Sequence, residues 1–386
     1  MTAWTRRSLI GAGMTALAGG AAAASLVARQ EQTARPGGST RFDVNFVGDG
    51  LELSPSAFSD LLARLSGNAV ESDEYSRGGA VEALEKQFAA LLGKEAAVFM
   101  PSGTLANHLA VRTLAGPRRR VLVQEVSHLY NDSGDCAQQL SGLTLVPLAS
   151  GKATFSWAEA AEAIDRGAAG RVPVPVGAIS IESPVRRLHG EAFDLGEMRR
   201  ISVEARQRGI GLHLDGARLF VASAYSGHPP SEYAALFDTV YVSLWKCFNS
   251  GGGAILAGPA APLANLYQVR RMFGGALWNA WPYAVVARHY AEGYLDRLTG
   301  AVKRSEELIR RLDRSPERLA VERVPNGTSL FRLKPKTPSL PAFRQKLAAQ
   351  GIVLPEPDRE GFWLKVNESL AQGTPDSLAA AFQAAL

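Results

Sequence analysis

Cysteine is scarce in this chain: Cys136 and Cys247 are the only two among 386 residues. They lie far apart and form neither a CxxC pair nor a zinc-type spacing, so no disulfide framework or structural zinc site organises the fold. Charge is also sparing, with charged residues at 20% and a formal net charge of +5. The single basic run, Arg118-Arg119-Arg120, follows Pro117 and reads as a solvated turn, so nucleic acid is not an expected partner. No internal repeat is present, which excludes a solenoid or propeller. What remains is an ordinary globular composition, 46% hydrophobic, long enough for one large domain and a smaller one.

The N-terminus departs from that composition. "TRRSLI", Thr5 to Ile10, precedes an uncharged stretch rich in Ala and Gly that runs to Ala28. Two adjacent arginines before a weakly apolar run resemble a twin-arginine export signal. Alanine and glycine make the run a poor permanent anchor. The expectation is a signal peptide over residues 1–28, a polar Pro-Gly-Gly linker over 29–40, and a periplasmic or extracellular protein. Retention in the cytoplasm is the alternative.

Beyond the linker, strand and helix patterns alternate. "GAVEALEKQFAALLG" carries Val81, Leu84, Phe88 and Leu91 at helical spacing. "EAAVFM" is a short apolar strand, and "PSGT" after it opens a second helix. "RVLVQEV" is a strand ending just before His128, "GAISIES" is another, and "IGLHLDGARL" holds a strand ending at Asp215. "DTVYVSL" is a β-branched and aromatic strand ahead of Lys246, and "NSGGGAILAG" turns into the next. Such alternation predicts an α/β fold with a mostly parallel sheet between helices. A large domain is expected over residues 41–290 and a small C-terminal α/β domain over 291–386, joined by a few residues from near the N-terminus.

In parallel sheets, ligands sit beyond the carboxyl ends of the strands, and that is where the unusual polar residues fall. Taken singly each is ordinary: "PSGT" is a helix cap, Asp-Gly a turn, His128 a structural histidine, Lys246 a surface lysine. Together they match the needs of pyridoxal 5'-phosphate: a lysine, a carboxylate for the pyridine nitrogen, a stacking group and a phosphate cradle. An opposed positive charge would keep the carboxylate ionised.

The order and spacing of these segments resemble the threonine aldolase and β-eliminating lyase branch of fold-type I pyridoxal-phosphate enzymes, over about residues 45 to 290. "FMPSGTLANHLAVR" is similar to the family's phosphate segment, "HLDGARLF" to its aspartate–arginine segment, and "VSLWKC" to its lysine segment. The resemblance implies Lys246 as the Schiff-base lysine, Asp215 on the pyridine nitrogen and His128 stacked on the ring. It places Ser102, Gly103 and Thr104 at the phosphate, and Arg218 at the ring oxygen or the substrate carboxylate. It also implies a homodimer or homotetramer acting on a small amino acid. The expected reaction is cleavage of the Cα–Cβ bond of a β-hydroxy-α-amino acid, giving glycine and an aldehyde. The alternatives are β-elimination, transamination or racemisation of another amino acid, or an exported binding protein that has kept the fold.

The substrate half of the site departs from the family. Its arginine–serine–aspartate–threonine run reads "NFVGDGL" here, the histidine ahead of the central glutamate is missing, and the C-terminal arginine is replaced within "GFWLKV". "SPVRRLHG" offers a substitute carboxylate clamp. If the strand continued past Glu182, alternation would aim Arg187 at the cofactor and Arg186 at the helix, so Arg187 is the expected substrate ligand.

Overall fold

The computed structural model describes residues 42–67 and 70–386, within the compact unit Thr40–Leu386. The expected signal peptide and linker, residues 1–28 and 29–40, lie outside the described residues.

The chain begins with a two-residue strand, β1 (Val44–Asn45). Seven strands then build the central sheet: β2 (Ala96–Met100), β3 (Arg120–Gln124), β4 (Thr144–Leu148), β5 (Val176–Glu182), β6 (Gly211–Asp215), β7 (Thr239–Ser243) and β8 (Ala254–Gly258). Their order across the sheet is β2-β8-β7-β6-β5-β3-β4. All pairs are parallel except the two made by β8. β5 is buried along its whole length, as a strand covered by helices on both faces must be.

Local signals set the helices. Gly79–Leu92 buries Val81, Leu84 and Phe88 and stops at Gly93, whose φ of 60° suits glycine. Ser156 and Glu159 form a reciprocal capping box on Trp157–Ala168. Phe88, Phe220 and Phe248 meet edge-to-face behind the sheet, with Phe248 centroids 5.1 Å from each of the other two.

A second core gathers the C-terminal elements. β9 (Leu319–Arg323), β10 (Leu330–Pro335), β11 (Ile352–Val353) and β12 (Phe362–Lys365) follow the long helix Tyr294–Leu312. β10 pairs with β9 and β12, and β1 pairs in parallel with β11. Phe42, Val44 and Phe46 therefore pack with Leu308, Phe343, Phe362 and Phe382, more than 250 residues away in sequence. That return brings the following loop, Val47 to Gly50, against the central sheet. Among the described residues no helix is long and apolar enough to cross a membrane.

Candidate active site

Parallel strands share one carboxyl edge, and here the last residues of that edge converge. Glu182 ends β5, Asp215 ends β6, and Lys246 sits one helical turn past β7. They line a cavity of about 430 Å³ with Ser102, Gly103, Thr104, His128 and Arg218. The volume suits a small-molecule site. Seven of the expected residues thus share one cavity: Ser102, Gly103, Thr104, His128, Asp215, Arg218 and Lys246.

Arg187 is the correction. It is absent from the lining, and Arg186 is present instead. After Glu182 the chain leaves the strand and makes a single 3-10 turn, Arg186–Leu188, so strand alternation no longer governs direction. Arg187 forks around Asp132, donating from Nε at 3.2 Å and Nη2 at 2.8 Å, while Arg186 reaches the same carboxylate with one nitrogen.

Asp215 is held by neutral donors, and Arg218, three residues on, turns elsewhere. The Arg218 guanidinium is buried and grips Asp49 with Nε at 3.0 Å and Nη2 at 2.8 Å. Burial alone would raise the Asp49 carboxyl, but Arg218, with Lys365 3.6 Å away, outweighs it and holds the group below its ordinary value. Asp215 instead accepts from Asn107 Nδ2 at 2.5 Å and from the Ala217 N–H at 3.2 Å. Asn107 Oδ1 lies 2.8 Å from His213 Nε2, and His213 Nδ1 lies 2.9 Å from Thr239 Oγ1. Only one proton arrangement satisfies this chain with a neutral ring. Thr239 donates to His213, His213 donates to Asn107, and Asn107 donates to Asp215. The relay fixes which way the Asp215 carboxylate faces.

The amine of Lys246 lies 5.3 Å from the Trp245 ring centroid. Burial, then the charge of Arg218, lowers its pKa, which raises the share of uncharged, nucleophilic amine. Burial likewise lowers the His128 pKa, against the pull of Asp215. Glu182 accepts the backbone N–H of His128 at 2.5 Å and of Arg186 at 2.9 Å, holding both segments at the cavity. Burial and the charge of Asp215 raise its pKa.

Sequence reasoning missed Asn107, His213, Asp49 and Glu182. Two had a signal: Asn107 lies one helical turn after Gly103, and His213 lies two strand positions before Asp215, so each shares a face with an expected residue. Asp49 stood in "NFVGDGL", read only as a departure from the family's run, and the tertiary fold brings it to Arg218.

The class follows from fold and site together: an α/β pyridoxal-phosphate architecture of fold type I, with amine, carboxylate and helix N-terminus at one sheet edge. The chain belongs to the beta-eliminating lyase family, whose sequence profile matches residues 57–331. It is 30% identical over 282 residues to an aldolase of Penicillium aethiopicum, covering 69% of this chain and 71% of that one. It is 31% identical over 196 residues to the low specificity L-threonine aldolase of Saccharomyces cerevisiae, a match spanning 50% of each chain. Among solved structures, a putative L-allo-threonine aldolase from Listeria monocytogenes superposes with a TM-score of 0.74 at 27% identity, covering 89% of this chain and 95% of that one.

The residues present fit the family's cofactor. Ser102 caps the helix Gly103–Ala115 by accepting the Leu105 N–H at 3.2 Å. That leaves the Gly103 and Thr104 N–H groups without an intrahelical acceptor, facing the cavity as an anion cradle. Among the described residues there is no group of three or more His, Cys, Asp or Glu arranged to hold a metal.

Proposed function

We propose that this protein is a pyridoxal-phosphate-dependent lyase that cleaves the Cα–Cβ bond of a β-hydroxy-α-amino acid, releasing glycine and an aldehyde. One observation carries the reading: Lys246, Asp215 and the free N–H groups of the Gly103–Ala115 helix open into one cavity. When bound, the cofactor accepts the electron pair left on the α-carbon as the bond breaks. Lys246 would hold its aldehyde carbon, Asp215 would keep the proton on its ring nitrogen, and Ser102, Gly103 and Thr104 would hold its phosphate. His128, its ring kept neutral by burial, orients the substrate hydroxyl and receives its proton. Arg218, fixed by Asp49, and Arg186 supply the positive charge that meets the substrate carboxylate.

Incubation with L-threonine, L-allo-threonine and L-serine tests the reading. Glycine with an aldehyde is the expected product pair. Ammonia and a keto acid from L-serine would replace it with β-elimination, and no turnover of any of the three would favour a binding protein.

Two further parts of the reading rest on other residues. The protein assembles as a homodimer or homotetramer. In support, Tyr75 and Trp278 stand exposed and in edge contact at 4.9 Å, with exposed Met272 in the same region of the chain. Light scattering that finds monomer alone would remove this part. The protein is also exported already folded, on the strength of Arg6 and Arg7 ahead of the uncharged run.

A further inference from the structure

One phenol that lines the site has no role in the mechanism above. Tyr241 lies on β7 directly opposite Asp215 in the parallel register, so both side chains leave the same face of the sheet, toward the helix Gly103–Ala115. Its ring packs among Ala106, Leu109 and Ala110 of that helix and is only 3% exposed. A buried phenol normally has a hydrogen-bond partner. The Tyr241 hydroxyl has the buried Ser243 hydroxyl beside it, a single neighbour for a group that can both donate and accept. Yet Tyr241 lines the cavity.

The position of that hydroxyl is set by Gly103. A Cβ at residue 103 would fall 2.0 Å from Tyr241 Oη and 2.4 Å from Cζ. Gly103 is the first residue of the helix and does not have a positive φ, so the backbone conformation alone does not demand glycine there. The phenol does. It occupies the space a side chain at residue 103 would take, close to the Cα of the first helical residue. Tyr241, Gly103 and Thr104 border the same cavity.

We propose that Tyr241 is a phosphate ligand: its hydroxyl donates a hydrogen bond to the cofactor phosphate held by the Gly103 and Thr104 N–H groups. Position 103 is glycine to admit it. The proposal rests on the reading of Ser102–Thr104 as the phosphate cradle. It adds a donor from a different strand, 137 positions after Thr104 in the numbering.

The test compares pyridoxal phosphate with pyridoxal, which differ only in the phosphate. Full-length protein is stripped of cofactor and titrated with each, following the absorbance of the bound form. Tyr241→Phe keeps the ring packing and removes only the donor. It should weaken pyridoxal phosphate binding roughly ten- to hundredfold, as expected for one hydrogen bond to a charged group, and leave pyridoxal binding unchanged. Equal weakening for both ligands, or none for either, overturns the proposal. Thr104→Pro, which deletes one cradle N–H at a helix position that tolerates proline, separates the two layers of the argument. If it discriminates between the ligands and Tyr241→Phe does not, the cradle stands and Tyr241 is not part of it. If neither variant discriminates, the cradle reading itself fails.

Discussion

Acidification should destabilise this protein through the buried imidazole of His213. The ring is fully enclosed, held between Thr239 Oγ1 at 2.9 Å and Asn107 Oδ1 at 2.8 Å. Burial, against the partial pull of Asp215, lowers its pKa from 6.5 to about 4. The sign follows from proton counting. Between these two values the unfolded chain binds a proton that the folded protein refuses, so stability is full above pH 6.5 and drains away as pH falls toward about 4. A displacement of that size corresponds to about 3 kcal/mol in total, of which about 1 kcal/mol is gone by roughly pH 5.5. The assay is urea unfolding of wild type and His213→Gln from pH 7 down to about 4.5. Other titrating groups, such as Glu85 and His108, contribute equally to both proteins and cancel in the difference. The variant, with nothing to protonate at this position, should start less stable at pH 7 because the relay is broken, and the gap should close as pH falls. A gap that stays constant across the range would refute a neutral, excluded His213. Activity loss in His213→Gln at pH 7, with cofactor bound, would show in addition that the relay aims Asp215.

Other expectations test the remaining parts. Borohydride should fix the cofactor to Lys246, and Lys246→Ala should lose lyase activity outright; mass spectrometry placing the label on another lysine would reject the assignment. Arg186→Ala should raise the amino-acid KM several-fold while Arg187→Ala leaves it within about twofold, since a charged hydrogen bond is worth more than that; equal effects would place the clamp elsewhere. Gly103→Ala should cost about 1–3 kcal/mol of stability by overpacking against Tyr241. The penalty of Gly103→Ala should persist in a Tyr241→Phe background, because Cζ would still lie 2.4 Å from the new methyl, and vanish in a Tyr241→Ala background; thermal melts of Gly103→Ala in each background, against that background alone, decide. Replacing Arg6 and Arg7 with lysine should leave yellow, active precursor inside the cell, and unchanged export would reject the twin-arginine reading.

Much of the fold was legible because its strands carry short-range signals. "VGAISIE" is apolar but for Ser180 and the terminal Glu182 and is buried throughout, as a strand covered on both faces is, and Gly93 marks a helix end by its own backbone freedom. A strand in such a sheet announces its carboxyl end by a sudden polar residue. Asp215 and the turn before Lys246 could therefore be placed at one edge without knowing the strand order. Arg187 shows where this reasoning stops. Alternation holds only while the chain stays extended, and the turn after Glu182 rotated the pair so that Arg186 faces the cavity.

The sequence by itself determined the alternation of elements and the edge on which the polar residues stand, since both follow from periodicity within a few residues, while the roles of those residues came from the resemblance to a family. Only the tertiary structure decided what those residues touch. Arg218 turned to Asp49, which β1 delivers by pairing with β11, and Asp215 was left to a relay through Asn107, His213 and Thr239. Tyr241 met Gly103 in the same way, across 138 positions. Hydrogen bonds and close packing act over about 3 to 4 Å between groups whose separation along the chain carries no information about their separation in space.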